Sequence, residues 1–189
     1  MAHSAPDDVR GELGAAMERE AATREILSIV SQSPVDFQKV LDLISEAAAR
    51  LCEADYTAFF KLHDGRYHVG ASNRMDSDFI KIFIDSPIEP GSNTCVGRAS
   101  RERKVIHVED LLEDAELLTP QNSERQKLSG ARTLLGVPIM TSGQEVDAVI
   151  FLARTSPRTF SKQQIALVQD FGAQALIAIE NARLFSALE

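Results

Sequence analysis

Two apolar-alternating segments, "YTAFFKL" (56–62) and "RYHVGAS" (66–72), are separated by His63-Asp64-Gly65. Asp-Gly between such runs is a strong short-range signal for a hairpin. A second pair, "TLLGVPIM" (133–140) and "VDAVIFLAR" (146–154), is joined by "TSGQE". Two hairpins demand antiparallel pairing, so the chain is not a doubly wound parallel fold. A shorter strand is expected at "KVIHV" (104–108). Pro138 lacks a ladder donor, which places its strand at an edge or a bulge.

The remaining periodicity is helical. "VDFQKVLDLISEAAARLCEA" sets Phe37, Val40, Leu41, Ile44, Ala48 and Leu51 on one side and ends at Cys52, read as a buried small apolar residue. Upstream, positions 13, 16, 20, 23, 27 and 30 carry Leu, Ala, Glu, Thr, Leu and Val, a heptad seam with two polar intrusions. "SQSP" breaks that helix, because Pro34 disfavours the helical state at Ser33. "DSDFIKIFID" is a short helix with Phe79, Ile82 and Phe83 on one face. The last segment, from an N-cap at Ser161, is one long helix whose apolar arc spans roughly 180°, against a little over 100° for a helix covering one core. Ile177 and Leu184 add a further strip. The surplus calls for a second partner. The reading is an α+β chain: an antiparallel sheet between helical layers, with the long N- and C-terminal helices bundled on one face. Residues 1–32 form an N-terminal extension with a signalling or dimerisation helix, and 33–189 form the domain proper.

Composition narrows the function. Among 189 residues, 44% are apolar and 25% charged, as in a globular protein with a core. A net charge of −8 and the absence of any basic run argue against nucleic acid and against an electrostatic membrane patch. No stretch of 18 apolar residues exists, and the N-terminal residues lack a signal-peptide core, so no membrane insertion is expected. Cys52 and Cys95, without CxxC spacing, suit a reducing compartment. The expected location is cytoplasmic.

"IEPGSNTCVGRAS" (88–100) combines glycines, a cysteine and three potential helix caps. Ser92, Asn93 or Thr94 can cap a helix beginning near Cys95, whose free N–H groups favour an anion or a carbonyl. Cys95 would point to a cavity or the core edge, and the helix start would lower its pKa. The acidic run Glu109, Asp110, Glu113, Asp114 and Glu116 lacks EF-hand spacing and reads as solvated charge on a lid.

Four stretches resemble the GAF domain family, particularly GAF sensors upstream of bacterial histidine kinases and nucleotide cyclases: "AATREILSIVSQSPVDFQKVLDLISEAAARLCEAD", "VGRASRERKVIHVEDL", "TLLGVPIM" and "TFSKQQIALVQDFGAQALIAIENARLF". The resemblance implies a sheet of about six antiparallel strands, a small-molecule pocket on one face, and a helical bundle on the other that often dimerises. Family members resemble "PG-x-G-x-x-x-GRA" at the 88–100 segment; Gly91, Gly97, Arg98 and Ala99 match, and Asn93 stands for the middle glycine, a substitution that tolerates positive φ. Gly97 and Ala99 are expected to let the helix approach the sheet.

The residues separate the family's chemistries. Cyclic-nucleotide members end their signature in F-x-x-x-D-E, where this chain has Phe160, Gln164 and Ile165. Bilin attachment commonly uses cysteine followed by histidine, and Cys95 is followed by Val96. Haem needs an axial ligand; His63 sits beside a turn, and His68 and His107 lie alone in strands. Free-methionine sulfoxide reductases use several loop cysteines, which Cys52 and Cys95 do not supply. No metal-ligand spacing, Walker loop, Ser-His-Asp order or kinase motif is legible. No cofactor and no catalytic residue are therefore assigned. The expected function is a sensory domain that binds a small molecule and relays through a homodimeric bundle to a kinase or cyclase module in cis or trans. The alternatives are a ligand-free structural dimerisation module and a redox sensor at Cys95. Candidate pocket residues are Phe79, Ile82, Phe83, Asn93, Thr94, Cys95, His107, Leu117, Leu118 and Leu135. Candidate dimer residues are Leu13, Leu27, Val30, Phe171, Ala175, Ala178, Ala182 and Phe185.

Overall fold

The computed structural model describes residues 37–140 and 145–186, together with positions 13, 14, 16, 17, 19–21, 23, 24 and 28, which are helical. In chain order the elements are α1 (Phe37–Leu51), β1 (Tyr56–His63), β2 (Arg66–Asn73), α2 (Ser77–Asp85), α3 (Cys95–Glu102), β3 (Ile106–Val108), a 3₁₀ turn (Leu111–Glu113), α4 (Pro120–Ser129), β4 (Thr133–Ile139), β5 (Ala148–Arg154) and α5 (Lys162–Ser186). The five strands form one antiparallel sheet in the order β2-β1-β5-β4-β3.

The Asp64-Gly65 turn behaves as its residues require. Both adopt positive φ, 48° and 74°, and His63 pairs with Arg66 across it. On β2, Gly70 is passed over between the pairs Phe59–Ala71 and Phe60–Val69, a bulge. β3 pairs only up to Ile106–Gly136, so Pro138 falls where β4 has no neighbour on that side. A sixth strand is not present among the described residues. Its place beside β2 is taken by a single bridge, Tyr67–Ile88, with reciprocal backbone bonds of 2.8 and 3.0 Å. Pro87 and Pro90 flank Ile88, and neither can donate to a ladder, which accounts for a pairing one residue long.

Side chains alternate across the sheet except at the Gly70 bulge, which moves Ala71 to the face opposite Val69. On one face Phe59, Leu135, Val137, Ile150 and Leu152 pack against Val40, Leu41 and Ile44 of α1 and Leu167, Val168 and Phe171 of α5. On the other, Phe60, Leu134, Val149 and Phe151 pack against α2, α3 and the 106–117 segment. Every residue of β5 is buried because both of its faces are covered. At its end Arg154, 1% exposed, ties three segments together. Its guanidinium donates to the carbonyls of Cys52 (2.6 Å), Glu53 (3.2 Å), Arg158 and Thr159 (2.7 Å each), and to Gln164 Oε1 (3.2 Å), and lies 4.1 Å from the Phe160 ring centroid.

The terminal bundle is described only in part. α1 and α5 pack together. Phe171 and Ala175, expected on a dimer seam, are fully buried in the chain's own core, because the face of α5 that carries them is the one turned to the sheet. Leu13 is 60% exposed and remains on the outside. Leu27 and Val30, and the side chains of Ala178, Ala182 and Phe185, lie outside the described residues. No helix among the described residues is long and apolar enough to cross a membrane.

Candidate functional site

The sheet face opposite α1 and α5 carries a cavity of about 70 Å³. Its floor is Tyr56 and Phe60 of β1, Leu134 of β4 and Phe151 of β5; α2 adds Phe79 and Phe83. Asp76 caps α2 by accepting from Asp78 N at 2.8 Å, which fixes those two rings toward the sheet. Tyr56, Phe60, Phe79, Phe83 and Phe151 form a connected aromatic cluster, largely edge-to-face, with centroids 5.1–6.4 Å apart.

A second wall comes from the 88–100 segment. Thr94 is the cap of α3, accepting from Gly97 N at 2.9 Å, and Ser92 Oγ lies 3.2 Å from its hydroxyl. The positive φ of this turn is at Gly91 (77°), and Asn93 is not among the residues with left-handed backbone, so Asn93 replaces a glycine without using a glycine's freedom. The tight contacts also differ from expectation. A Cβ on Gly97 would fall 2.5 Å from Ser92 O, so Gly97 makes room for its own loop. The sheet is approached through Gly136, where a Cβ would lie 3.0 Å from Cys95 Sγ and 3.5 Å from Ala99 Cβ. Cys95 does reach the cavity wall, but burial pushes its thiol up to about 12 and overrides the helix start. It is therefore a protonated, apolar-behaving wall residue at neutral pH. Cys52 is likewise raised to about 12 by burial, and both thiols are free.

The 109–130 segment closes the third side. In its acidic run three of the five residues are paired: Asp114 lies 3.1 Å from Arg98, Glu116 pairs with Arg101, and Asp110 takes Arg132 in a two-pronged bridge, while Glu109 and Glu113 are exposed. Arg98, the arginine of the GRA triplet, also bonds Glu102 at 2.8 Å. With the run so fixed, Leu111 and Leu117 turn into the cavity. Thr119 then caps α4, Pro120 occupies its first turn, and Gly130 (φ 66°) ends it. α4 lines the cavity with Asn122, Arg125, Gln126 and Ser129. Asn122 Nδ2 bonds the Leu117 carbonyl (2.8 Å) and that of Asn93, joining α4 to the α3 cap. The Arg125 guanidinium carbon sits 5.3 Å from the Phe83 ring centroid.

Of the expected pocket residues, Phe79, Phe83, Thr94, Cys95 and Leu117 line the cavity. Ile82 packs against the same core beside it, Asn93 is exposed and contributes its carbonyl to Asn122, and Leu118 is 38% exposed. Leu135 and His107 belong to the opposite face by strand alternation. His107 Nε2 accepts from Phe160 N at 3.1 Å. Leu135, expected in the pocket, packs with α1 and α5 instead, and the alternation of β4 puts its neighbour Leu134 in the cavity wall. Arg125 was missed because "PQNSERQKLS" has no apolar period; its helix is signalled only by Thr119-Pro120 and Gly130. Among the described residues no group of three or more His, Cys, Asp or Glu is placed to hold a metal ion.

An antiparallel sheet with helices on one face and a half-closed aromatic cavity on the other defines an α+β domain of the pocket-bearing kind. The chain belongs to the GAF domain family, whose model matches residues 34–180. No curated protein sequence matches it. Among solved structures it is similar to the GAF domain of a phosphoenolpyruvate-protein phosphotransferase from Coxiella burnetii (19% identity, 91% of this chain and 98% of that one, TM-score 0.74). It is also similar to free methionine-R-sulfoxide reductase from Neisseria meningitidis in complex with its substrate (15%, 90% and 93%, TM-score 0.70). A third similar structure is a domain of a putative two-component sensor histidine kinase protein from Sinorhizobium meliloti 1021 (14%, 79% and 94%, TM-score 0.65). At these identities the likeness is one of fold.

Proposed function

We propose that this GAF domain is a sensory module that takes a small molecule in the aromatic cavity and relays occupancy through its terminal helices. The observation that carries the reading is the cavity itself. Well-packed cores leave few voids larger than a water molecule, yet about 70 Å³ stays open among buried aromatic side chains, several times what one water needs. Cys95 is a wall residue with a raised thiol pKa, which favours binding over cysteine redox chemistry. The 109–130 segment, which supplies Leu117 and all of α4, is the element a ligand would touch and shift.

The relay requires a partner surface. Leu13 (60%), Met17 (63%) and Ile177 (42%) are exposed apolar side chains on the two terminal helices, and they support a homodimer formed there. The output, a kinase or cyclase module in cis or trans, would then respond to a change in helix arrangement. A ligand drives such a change only by its differential affinity for the two arrangements. A cytoplasmic setting suits two free, buried thiols. A fragment screen by thermal denaturation tests the binding claim: a true ligand at 100 times its Kd stabilises the fold by about 2.7 kcal/mol. Uniformly flat melts across a broad library would leave a filled structural module as the better account.

A further inference from the structure

We infer that the cavity's ligand is a compact organic monoanion, a carboxylate on an apolar or aromatic body, held by Arg125. The inference rests on the cavity being a ligand site and adds its charge and shape. Among the described residues Arg125 is the one charged side chain in the cavity wall, and no aspartate or glutamate lines it. The two other ionisable wall groups, Cys95 and Tyr56, are kept protonated by burial, each pushed up to about 12. The wall therefore carries one unbalanced positive charge.

Three other arginines that lie against the core, Arg98, Arg132 and Arg154, are paired among the described residues. Arg98 bonds Glu102 and Asp114, Arg132 bonds Asp110, and Arg154 is saturated by carbonyls. Arg125 has no ion pair or hydrogen bond among the described residues; its contact is the face of Phe83. A guanidinium held over an aromatic face by a cation–π contact keeps its N–H donors available for a bidentate carboxylate. Burial without a counter-charge pushes the Arg125 pKa down, the cost that an entering anion would relieve. The neighbouring amides are largely engaged: Asn122 bonds two carbonyls and Gln126 Nε2 lies 3.3 Å from Ala131 O. Apart from the Tyr56 phenol and the Thr94 and Ser129 hydroxyls, the last two already bonded within the chain, the rest of the wall is Phe60, Phe79, Phe83 and Phe151 with aliphatic side chains, so a second charge on the ligand would be buried without an ionic partner.

Isothermal titration with benzoate, benzamide and benzamidine provides three probes of one shape and different charge. Benzoate should bind wild-type protein at least ten-fold tighter than benzamide, with benzamidine weakest. Arg125→Gln should erase the benzoate preference, and Arg125→Lys should keep part of it. Because Arg125 makes no ion pair or hydrogen bond among the described residues and only its contact with Phe83 is lost, R125Q should melt within a few degrees of wild type without ligand, which separates lost binding from lost folding. Equal binding of benzamide and benzoate, or an undiminished preference in R125Q, overturns the anion assignment while leaving the cavity a ligand site. Binding by none of the three also overturns it, and the fragment screen then decides separately whether the cavity takes any ligand.

Discussion

Arg154 and His107 show how single polar groups are made compatible with this core. Arg154 is buried, yet its N–H groups are matched to the Cys52, Glu53, Arg158 and Thr159 carbonyls and the Gln164 side chain. Removing it strands several buried acceptors, so Arg154→Met should lower stability by about 3 kcal/mol, measured by urea denaturation. His107 poses the opposite problem. Its Nε2 accepts from Phe160 N, which requires the neutral ring, and burial, with Arg154 nearby, lowers its pKa from 6.5 while Glu109 opposes. A lowered folded-state pKa makes the contribution fully present above the unfolded value near 6.5 and lost as pH falls toward the folded one. Thermal melts should therefore drop as pH falls from about 6.5, and His107→Gln should flatten that part of the profile. A slope unchanged in the variant would assign it to other groups.

Among the elements, α3 is placed by sheet and loop glycines more than by its own apolar content. Gly136 brings Cys95 and Ala99 onto β4, and Gly97 fits against Ser92. Gly136→Ala should cost about 1–3 kcal/mol by overpacking. Adding Cys95→Ala should recover part of that loss, and denaturation of both single variants and the double variant closes the cycle. A fully additive double variant would refute the contact. The five strands, α1, α2, α3 and α5 were legible in the sequence because each carries a period, a turn pair or a cap. α4 was not, since its ten residues bury no apolar stripe and are held by caps and by Asn122. The same blindness hid the charged part of the candidate site. Strand positions were legible as a set but not by face: Leu135 and Leu134 look alike until a neighbouring contact decides which way the pleat points. The acidic run read as solvated charge because its partners, Arg98, Arg101 and Arg132, come from elements brought close only by the fold.

At the scale of the whole molecule, one sheet separates two differently packed faces. The α1/α5 face is filled by the chain's own core, Phe171 and Ala175 included, so the homodimer proposed above would use the outer flank that presents Ile177. Sedimentation at rising concentration should show a monomer–dimer equilibrium that Ile177→Asp shifts toward monomer. The other face holds the cavity, and α4 with its arginine closes it. This division permits a direct test by methyl NMR during titration with benzoate. Ile88, Leu111, Leu117 and Leu134 line the cavity, whereas Ile44, Leu135, Ile150 and Leu152 lie on the far side of the sheet. The account predicts saturable shifts concentrated in the first group. Shifts concentrated in the second group, or none in either at saturating probe, would contradict it.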